Sequence, residues 1–328
     1  MKALITGATG FIGSRLTLHC LNAGHTVRVL GQARNEQEKE NAKALETKGA
    51  EVYIASVADR DRLAEALDGI EVVFHLAAAQ HEANVPDQHF HDVNVEGTRN
   101  LLDGAVAAGV RRFVHGSSIG VYGGDGTVRN DSPLEPDNIY GVTKLAGEEV
   151  VRSYDQKLEF VICRIGETYG PGDHRLIKLF KGLQEGRFPM IGRGDNLHHL
   201  IYIDDLIEGF LLAATREPAV GQTFVMAGER PTSTRDMVAI VSRELGKSPP
   251  RIRIPMTPVM LVARLMHAVF RPLGIQPPLH PRRMNFYLKS FSFSTEKARE
   301  ALGFFPRIDF ETGAAQTARW YREQGILP

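Results

Sequence analysis

Over the first half of the chain, apolar positions alternate between two patterns. Short, nearly continuous apolar runs predict strands at Lys2–Thr6, Thr26–Leu30, Glu51–Ile54, Val72–Leu76, Arg112–Gly116 and Glu159–Arg164. Runs of this kind belong to strands covered on both faces. Between them, apolar residues recur at helical spacing over Phe11–Ala23, Glu36–Lys48, Arg60–Leu67, Gln88–Ala108 and Asn138–Asp155. Each helix is long enough for a right-handed crossover between parallel strands. The alternation predicts an α/β fold, a doubly wound parallel sheet with helices on both faces.

After residue 166 the texture changes. Tyr169-Gly170-Pro171-Gly172, Pro249-Pro250 and Pro277-Pro278 break the pattern into short pieces. Helical spacing resumes at Ile201–Ala214, Thr295–Leu302 and Phe310–Gln324. We expect a first domain over residues 1–166, with 199–226 returning to it, and a smaller C-terminal domain over 167–328 that completes a cleft.

Composition narrows the partners. The chain has 328 residues, 43% of them apolar, with 39 Lys and Arg against 39 Asp and Glu. Zero net charge argues against nucleic acid or an anionic membrane surface as the main partner, because both demand clustered positive charge. Two cysteines, Cys20 and Cys163, make no disulfide framework and suit a reducing cytoplasm. The chain opens on a strand rather than a cleavable apolar leader. Its most apolar window, Pro255–Gly274, is interrupted by Pro258, Arg264, His267, Arg271 and Pro272, so no membrane span is expected. Neither the cluster His81, His89 and His91 nor the pair His198-His199 has Cys or carboxylate neighbours at structural-zinc spacing, so no metal is expected.

The first strand runs into Thr6-Gly7-Ala8-Thr9-Gly10-Phe11-Ile12-Gly13 and then a helix. Glycines at 7, 10 and 13 permit a tight turn, close approach of a pyrophosphate and close helix–strand packing. The phosphates would meet free N–H groups at the helix N-terminus. This strand–turn–helix context assigns Gly7, Thr9, Gly10, Phe11, Ile12 and Gly13 to a dinucleotide. The second strand ends in Leu30-Gly31-Gln32-Ala33-Arg34, with Gly31 where an acid would read the ribose hydroxyls. Arg34 could meet a 2′-phosphate, so NADP is preferred and NAD remains open. Leu76, Ala77 and Ala78 end the fourth strand with little bulk, as a passing ribose and nicotinamide require.

At the reacting end, Tyr140 and Lys144 stand four apart at the start of a helix, on one face. A free phenol has a pKa of about 10, and a neighbouring ammonium lowers it toward a useful range. Lys144 could also bond the nicotinamide ribose. Ser118, at the carboxyl end of the fifth strand, stands where such sheets bind ligands and could hold a substrate oxygen.

Together with Asn94 in Asn94-Val95-Glu96-Gly97-Thr98, the Arg164…Tyr169-Gly170-Pro171-Gly172-Asp173 segment and Tyr202-Ile203-Asp204-Asp205, these motifs resemble the extended short-chain dehydrogenase/reductase superfamily over essentially the whole chain. The resemblance implies a Rossmann domain, a Ser118–Tyr140–Lys144 catalytic group, Asn94 as structural support, Ile165 beside the cofactor, and a homodimer acting on a small molecule. Dehydratases of the superfamily carry Asp-Glu after the catalytic hydroxyl residue, where this chain has Ile119-Gly120. Its sugar-nucleotide epimerases use an Asn where this chain has Glu167, and an Arg where it has His198-His199. Arg175 and Arg193 can compensate, so a 4-epimerase or reductase of nucleotide sugars stays open. The apolar Pro255–Pro278 stretch and Phe291-Ser292-Phe293-Ser294 look like the 3β-hydroxysteroid dehydrogenase-like branch. That branch implies an alcohol/ketone oxidoreductase on a lipophilic or β-keto/hydroxy substrate, with Ser118, His81, Glu167 and His198 as candidate substrate residues. A non-catalytic sensor or scaffold is the remaining class; its usual mark is loss of the Tyr or the Lys, and both are present.

Overall fold

A computed structural model describes residues 1–80, 85–123, 126–129, 132–270 and 284–328. Its centre is a seven-stranded parallel sheet. Five strands come from the first 118 residues: β1 (Lys2–Thr6), β2 (Thr26–Gly31), β3 (Glu51–Ile54), β4 (Val72–His75) and β5 (Arg112–Ser118). Strands Glu159–Ile165 and Gln222–Met226 extend the sheet beyond β5, and β3 forms the opposite edge. The order reverses between β1 and β4, where Thr6 pairs with both Leu30 of β2 and His75 of β4. A crevice opens at the carboxyl ends of strands at such a switch point.

Alternation along each strand sends neighbours to opposite faces. Ile5, Val29, Phe74, Val114 and Cys163 join the core on one face, with Leu16 and Cys20 of helix α1 (Phe11–Asn22) and Leu45 of α2 (Glu36–Thr47). Leu4, Leu30, Val73, Phe113 and Ile162 form the other, under α3 (Arg60–Leu67), α5 (Gly97–Ala107) and α6 (Ile139–Arg152). Arg15 of α1 grips Asp204 with bonds of 2.7 and 3.0 Å, tying the glycine end to helix Ile203–Thr215.

Two elements differ from the sequence pattern. The helix expected over Gln88–Ala108 is split into α4 (Asp87–His91), a π-helical turn at Asp92–Glu96, and α5. The wide turn holds buried Asn94, whose carboxamide accepts from Ala79 N–H at 2.8 Å and donates to Ala79 carbonyl and the Thr143 hydroxyl. Such turns are commonest at functional sites. The helix expected from Ile201 begins two residues later, because Leu200–Tyr202 forms a buried strand paired with Glu167–Tyr169. A short, wholly apolar run does not reveal by its periodicity which element it joins.

Candidate active site

The glycine turn is built around contacts that leave no room for side chains. Gly7 has φ +68°, and a Cβ there would lie 2.7 Å from the Ala77 nitrogen; one on Gly13 would lie 2.4 Å from the Gly7 carbonyl oxygen. Helix α1 starts after Gly10 with no side-chain cap and no acid in its first turn. Its free N–H groups and dipole are therefore open to an anion. The Asn41 side chain donates to the Thr9 carbonyl at 2.7 Å and holds the loop from α2.

From this turn a cleft of about 500 Å³ runs across the strand ends. Gly7, Thr9, Gly10, Phe11, Ile12, Gly13, Arg34, Leu76, Ala77, Ala78 and Ile165 all lie on its wall, as do Ser118, Tyr140 and Glu167. β5 reaches Ser118 and its neighbour reaches Ile165, and the two residues pair directly. The Ser118 hydroxyl hydrogen-bonds the Tyr140 phenol.

Lys144 is off the wall. It is only 2% exposed, on the buried side of α6 and close enough to His75 of β4 and His115 of β5 for its charge to act on both. Burial lowers the lysine to about 8, with the Glu148 carboxylate opposing the shift. Tyr140 departs from the expected direction: desolvation pushes it up to about 12, outweighing the Ser118 hydrogen bond and the Arg175 charge. The imidazoles are driven toward neutrality, His75 to about 3, first by burial and then by the lysine charge. His75 pairs with the hydroxyls of Thr6 and Thr98.

His198 is likewise off the wall. It is buried behind Glu167, 3.2 Å from the carboxylate, against the Thr234 hydroxyl at 2.9 Å and the Phe286 ring. Expected to line the cleft, it instead stands behind Glu167, which does. Burial favours the neutral form of Glu167, but the His198 hydrogen bond and nearby positive charges win and hold its pKa below the usual carboxylate range. His81 lies outside the described residues. Asn94 joins the chain after β4 to α6. Among the described residues no group of three or more His, Cys, Asp or Glu is arranged to hold a metal.

Two acids were missed from the sequence. Glu38 of α2 lines the same end of the cleft as Arg34, accepts from the Arg34 N–H at 2.8 Å and lies 3.5 Å from its guanidinium. Four-residue spacing on a helix entry was the available signal. Glu148, four residues beyond Lys144, is fully buried and accepts from Arg164, Arg152 and Ser117. Only the apolar face on which it sits marked it.

The arrangement joins an anion-binding helix terminus and a phenol–hydroxyl pair along one crevice. Known proteins are similar to this chain over most of its length. Residues 3–227 match the NAD dependent epimerase/dehydratase family. A UDP-glucose 4-epimerase of Mycolicibacterium smegmatis is 31% identical over 99% of each chain. A 3 beta-hydroxysteroid dehydrogenase/Delta 5-->4-isomerase of Mycobacterium tuberculosis is 30% identical over 98% of this chain and 90% of its own. The solved UDP-glucuronic acid 4-epimerase from Bacillus cereus in complex with NAD is 25% identical over 99% of both chains, with a TM-score of 0.80. The chain belongs to the NAD dependent epimerase/dehydratase family, the extended short-chain dehydrogenase/reductases.

Proposed function

We propose that this enzyme interconverts a secondary alcohol and a ketone by hydride transfer, on a lipophilic or β-keto/hydroxy substrate. The observation that carries the reading is the hydrogen-bonded Ser118–Tyr140 pair on the wall of the cleft that begins at the glycine turn. When bound, a nicotinamide dinucleotide supplies or accepts the hydride. The turn suits its pyrophosphate, since Gly7 and Gly13 leave space for backbone alone and the α1 terminus is uncapped. Ala77, Ala78 and Ile165 would flank the nicotinamide end. In this reading residues 1–166 with 199–226 hold the dinucleotide, and the rest of 167–328 holds the substrate. The protein works as a cytoplasmic homodimer, a state that sedimentation velocity reads directly.

Tyr140 moves the proton. At about 12, its phenol is protonated at neutral pH and can donate to a carbonyl oxygen that is gaining negative charge. Ser118 holds that oxygen beside it. Lys144, at about 8, is largely charged at neutral pH and lends its field to the same point from below. Asn94 fixes the strand end against α6, so the donor pair keeps its spacing.

Glu167 argues for the ketone substrate over a nucleotide sugar. Its side chain is 37% exposed, on the cleft wall, with its pKa held below the usual range. A diphosphate placed there meets a negative charge, and opposed like charges exclude a ligand. The epimerase reading is favoured by Arg175 on the same wall, but Asp173 takes its Nε at 3.2 Å. A screen of lipophilic ketones, β-keto acids and UDP-hexoses, followed by nicotinamide absorbance and product analysis, separates them. Ketone-dependent oxidation of reduced cofactor is expected. Epimerised UDP-hexose with no net absorbance change would overturn the substrate assignment.

The choice of dinucleotide rests on the Arg34–Glu38 pair. The preference for NADP followed from Gly31 standing where an acid would end the second strand, with Arg34 shortly after it; Glu38 of α2 now lies against that arginine. With its charge countered, Arg34 offers a 2′-phosphate no net attraction, so NAD is expected to bind at least as tightly as NADP. Glu38→Gln should then raise NADPH affinity relative to NADH by about tenfold, the order of one charge contact. Arg34→Ala should lower it. Fluorescence titration measures both, and a ratio unmoved in either variant removes the pair from cofactor selection.

A further inference from the structure

Zero net charge hides a strong local imbalance. Between Glu244 and Glu296 the sequence contains no Asp or Glu, yet it carries six Arg and two Lys. Lys247, Arg251, Arg253 and Arg264 are exposed. The same stretch displays large apolar side chains to solvent: Ile252 is 80% exposed, Leu261 60% and Leu265 58%, and Val262 and Leu288 are exposed as well. Isolated exposed apolar residues need no explanation, but a cluster rimmed by one sign of charge marks an interaction surface.

Helix Met256–Phe270 shows how the two features combine. At 100° per residue, Thr257, Pro258, Leu261, Val262 and Leu265 share one arc, with Arg264 at its edge. All six are exposed, while Ala263 on the opposite side is fully buried. The inner side is apolar as well, with Met256, Val259, Met260 and Met266 half-buried around Ala263, so the outward leucines are apolar surface beyond what closes the core. At 15 residues it is too short to cross a bilayer, and no helix of the described residues is long and apolar enough to do so.

We propose that this face, with the flanking residues 251–254, lies on an anionic phospholipid surface, leucines in the acyl boundary and arginines among the headgroups. An apolar stripe bordered by arginine is the pattern of helices that rest in the interfacial plane. A second copy of the chain would bring the same positive charge against itself, which opposes self-association here. The membrane attracts the basic residues and buries the leucines at once. The proposal stands apart from the assigned reaction, and its test needs no turnover.

Full-length protein is mixed with extruded vesicles of phosphatidylcholine alone, or with about one-third phosphatidylglycerol, near 0.1 M salt. Co-sedimentation is expected on the anionic vesicles and at least about tenfold less on the neutral ones, with binding falling as salt rises. Leu261→Ser/Leu265→Ser should lose most of that binding with an unchanged melting curve. Arg251→Ala/Arg253→Ala should lower partition about fivefold per charge removed, and provides the reading should the leucine variant melt early. Absence of binding to anionic vesicles overturns the proposal, as does equal binding to both compositions that ignores salt. Sedimentation velocity supplies the third arm: a self-associated wild type that the leucine variant dissociates assigns the face to a second protein copy and overturns the lipid assignment.

Discussion

Tyr140→Phe is expected to reduce kcat about 10³-fold, within the range of a lost general acid–base group, while dinucleotide affinity changes by less than about threefold. The variant keeps the ring, so the packing of α6 on the cleft survives. It removes the one proton that Ser118 helps to place. Stopped-flow turnover and a fluorescence titration of cofactor measure the two quantities separately. Unchanged turnover would take Tyr140 out of the reaction, and lost cofactor binding would make its role structural. A pH profile adds a second reading. Lys144 loses its charge near pH 8, well below the usual 10.5, because burial disfavours the ammonium. Wild-type activity should fall above about pH 8 as that charge disappears. Over the same window the unfolded chain still binds the proton that the folded one has released, so this group's contribution to stability rises with pH. Loss of this charge therefore does not itself weaken the fold, and a melting curve across the same pH window separates the two effects.

Glu148→Ala is expected to cost about 3–5 kcal/mol of stability and roughly 10 °C in Tm, the penalty for breaking a buried ion pair by removing one partner. The carboxylate accepts two bonds from Arg164, at 2.9 and 2.7 Å, one from Ser117 at 2.6 Å and one from Arg152 at 2.8 Å. Arg164 is itself 4% exposed and donates to the Tyr122 hydroxyl at 2.7 Å, so truncation leaves its guanidinium buried without its anion. Burial alone would raise the Glu148 pKa; the arginines and Ser117 overcome it and hold it below 4.5. Its contribution is present above the usual carboxylate value and is lost as pH falls through the depressed one. The gap between wild type and variant should accordingly narrow in acid. Urea melts at neutral and acid pH test both parts, and a neutral-pH loss under about 1 kcal/mol would show that the network does not hold these strands together.

How legible the site was depended on how far apart its parts lie in the chain. The three glycines of the turn stand within 13 residues, and Tyr140 and Lys144 within one helical turn, so local geometry was enough to put them on one loop and one face. The Arg34–Glu38 pair is equally local, but Glu38 belongs to the first turn of α2, beyond the strand end where the ribose is read. His198 was harder. Adjacent histidines on an extended segment point to opposite sides, and only the arrival of Thr234 and Phe286 from elsewhere shows that His198 is enclosed. The π-helical turn at Asp92–Glu96 was hidden for the same reason, since its cause is the meeting of Asn94 with Ala79 and Thr143.

From the sequence by itself followed the parallel sheet, its two helical layers, the glycine turn before α1 and the phenol–ammonium spacing, because strand and helix periods are set by backbone geometry within each element. Charge and exposure were decided only by the tertiary structure. Which lysine is desolvated, which carboxylate is neutralised by an arginine, and which leucines remain in water depend on residues distant in sequence that come to lie alongside. The Tyr140 phenol shows the difference most directly: its neighbour in the helix suggested a lowered pKa, and the dry wall against which the fold places it raises the value to about 12.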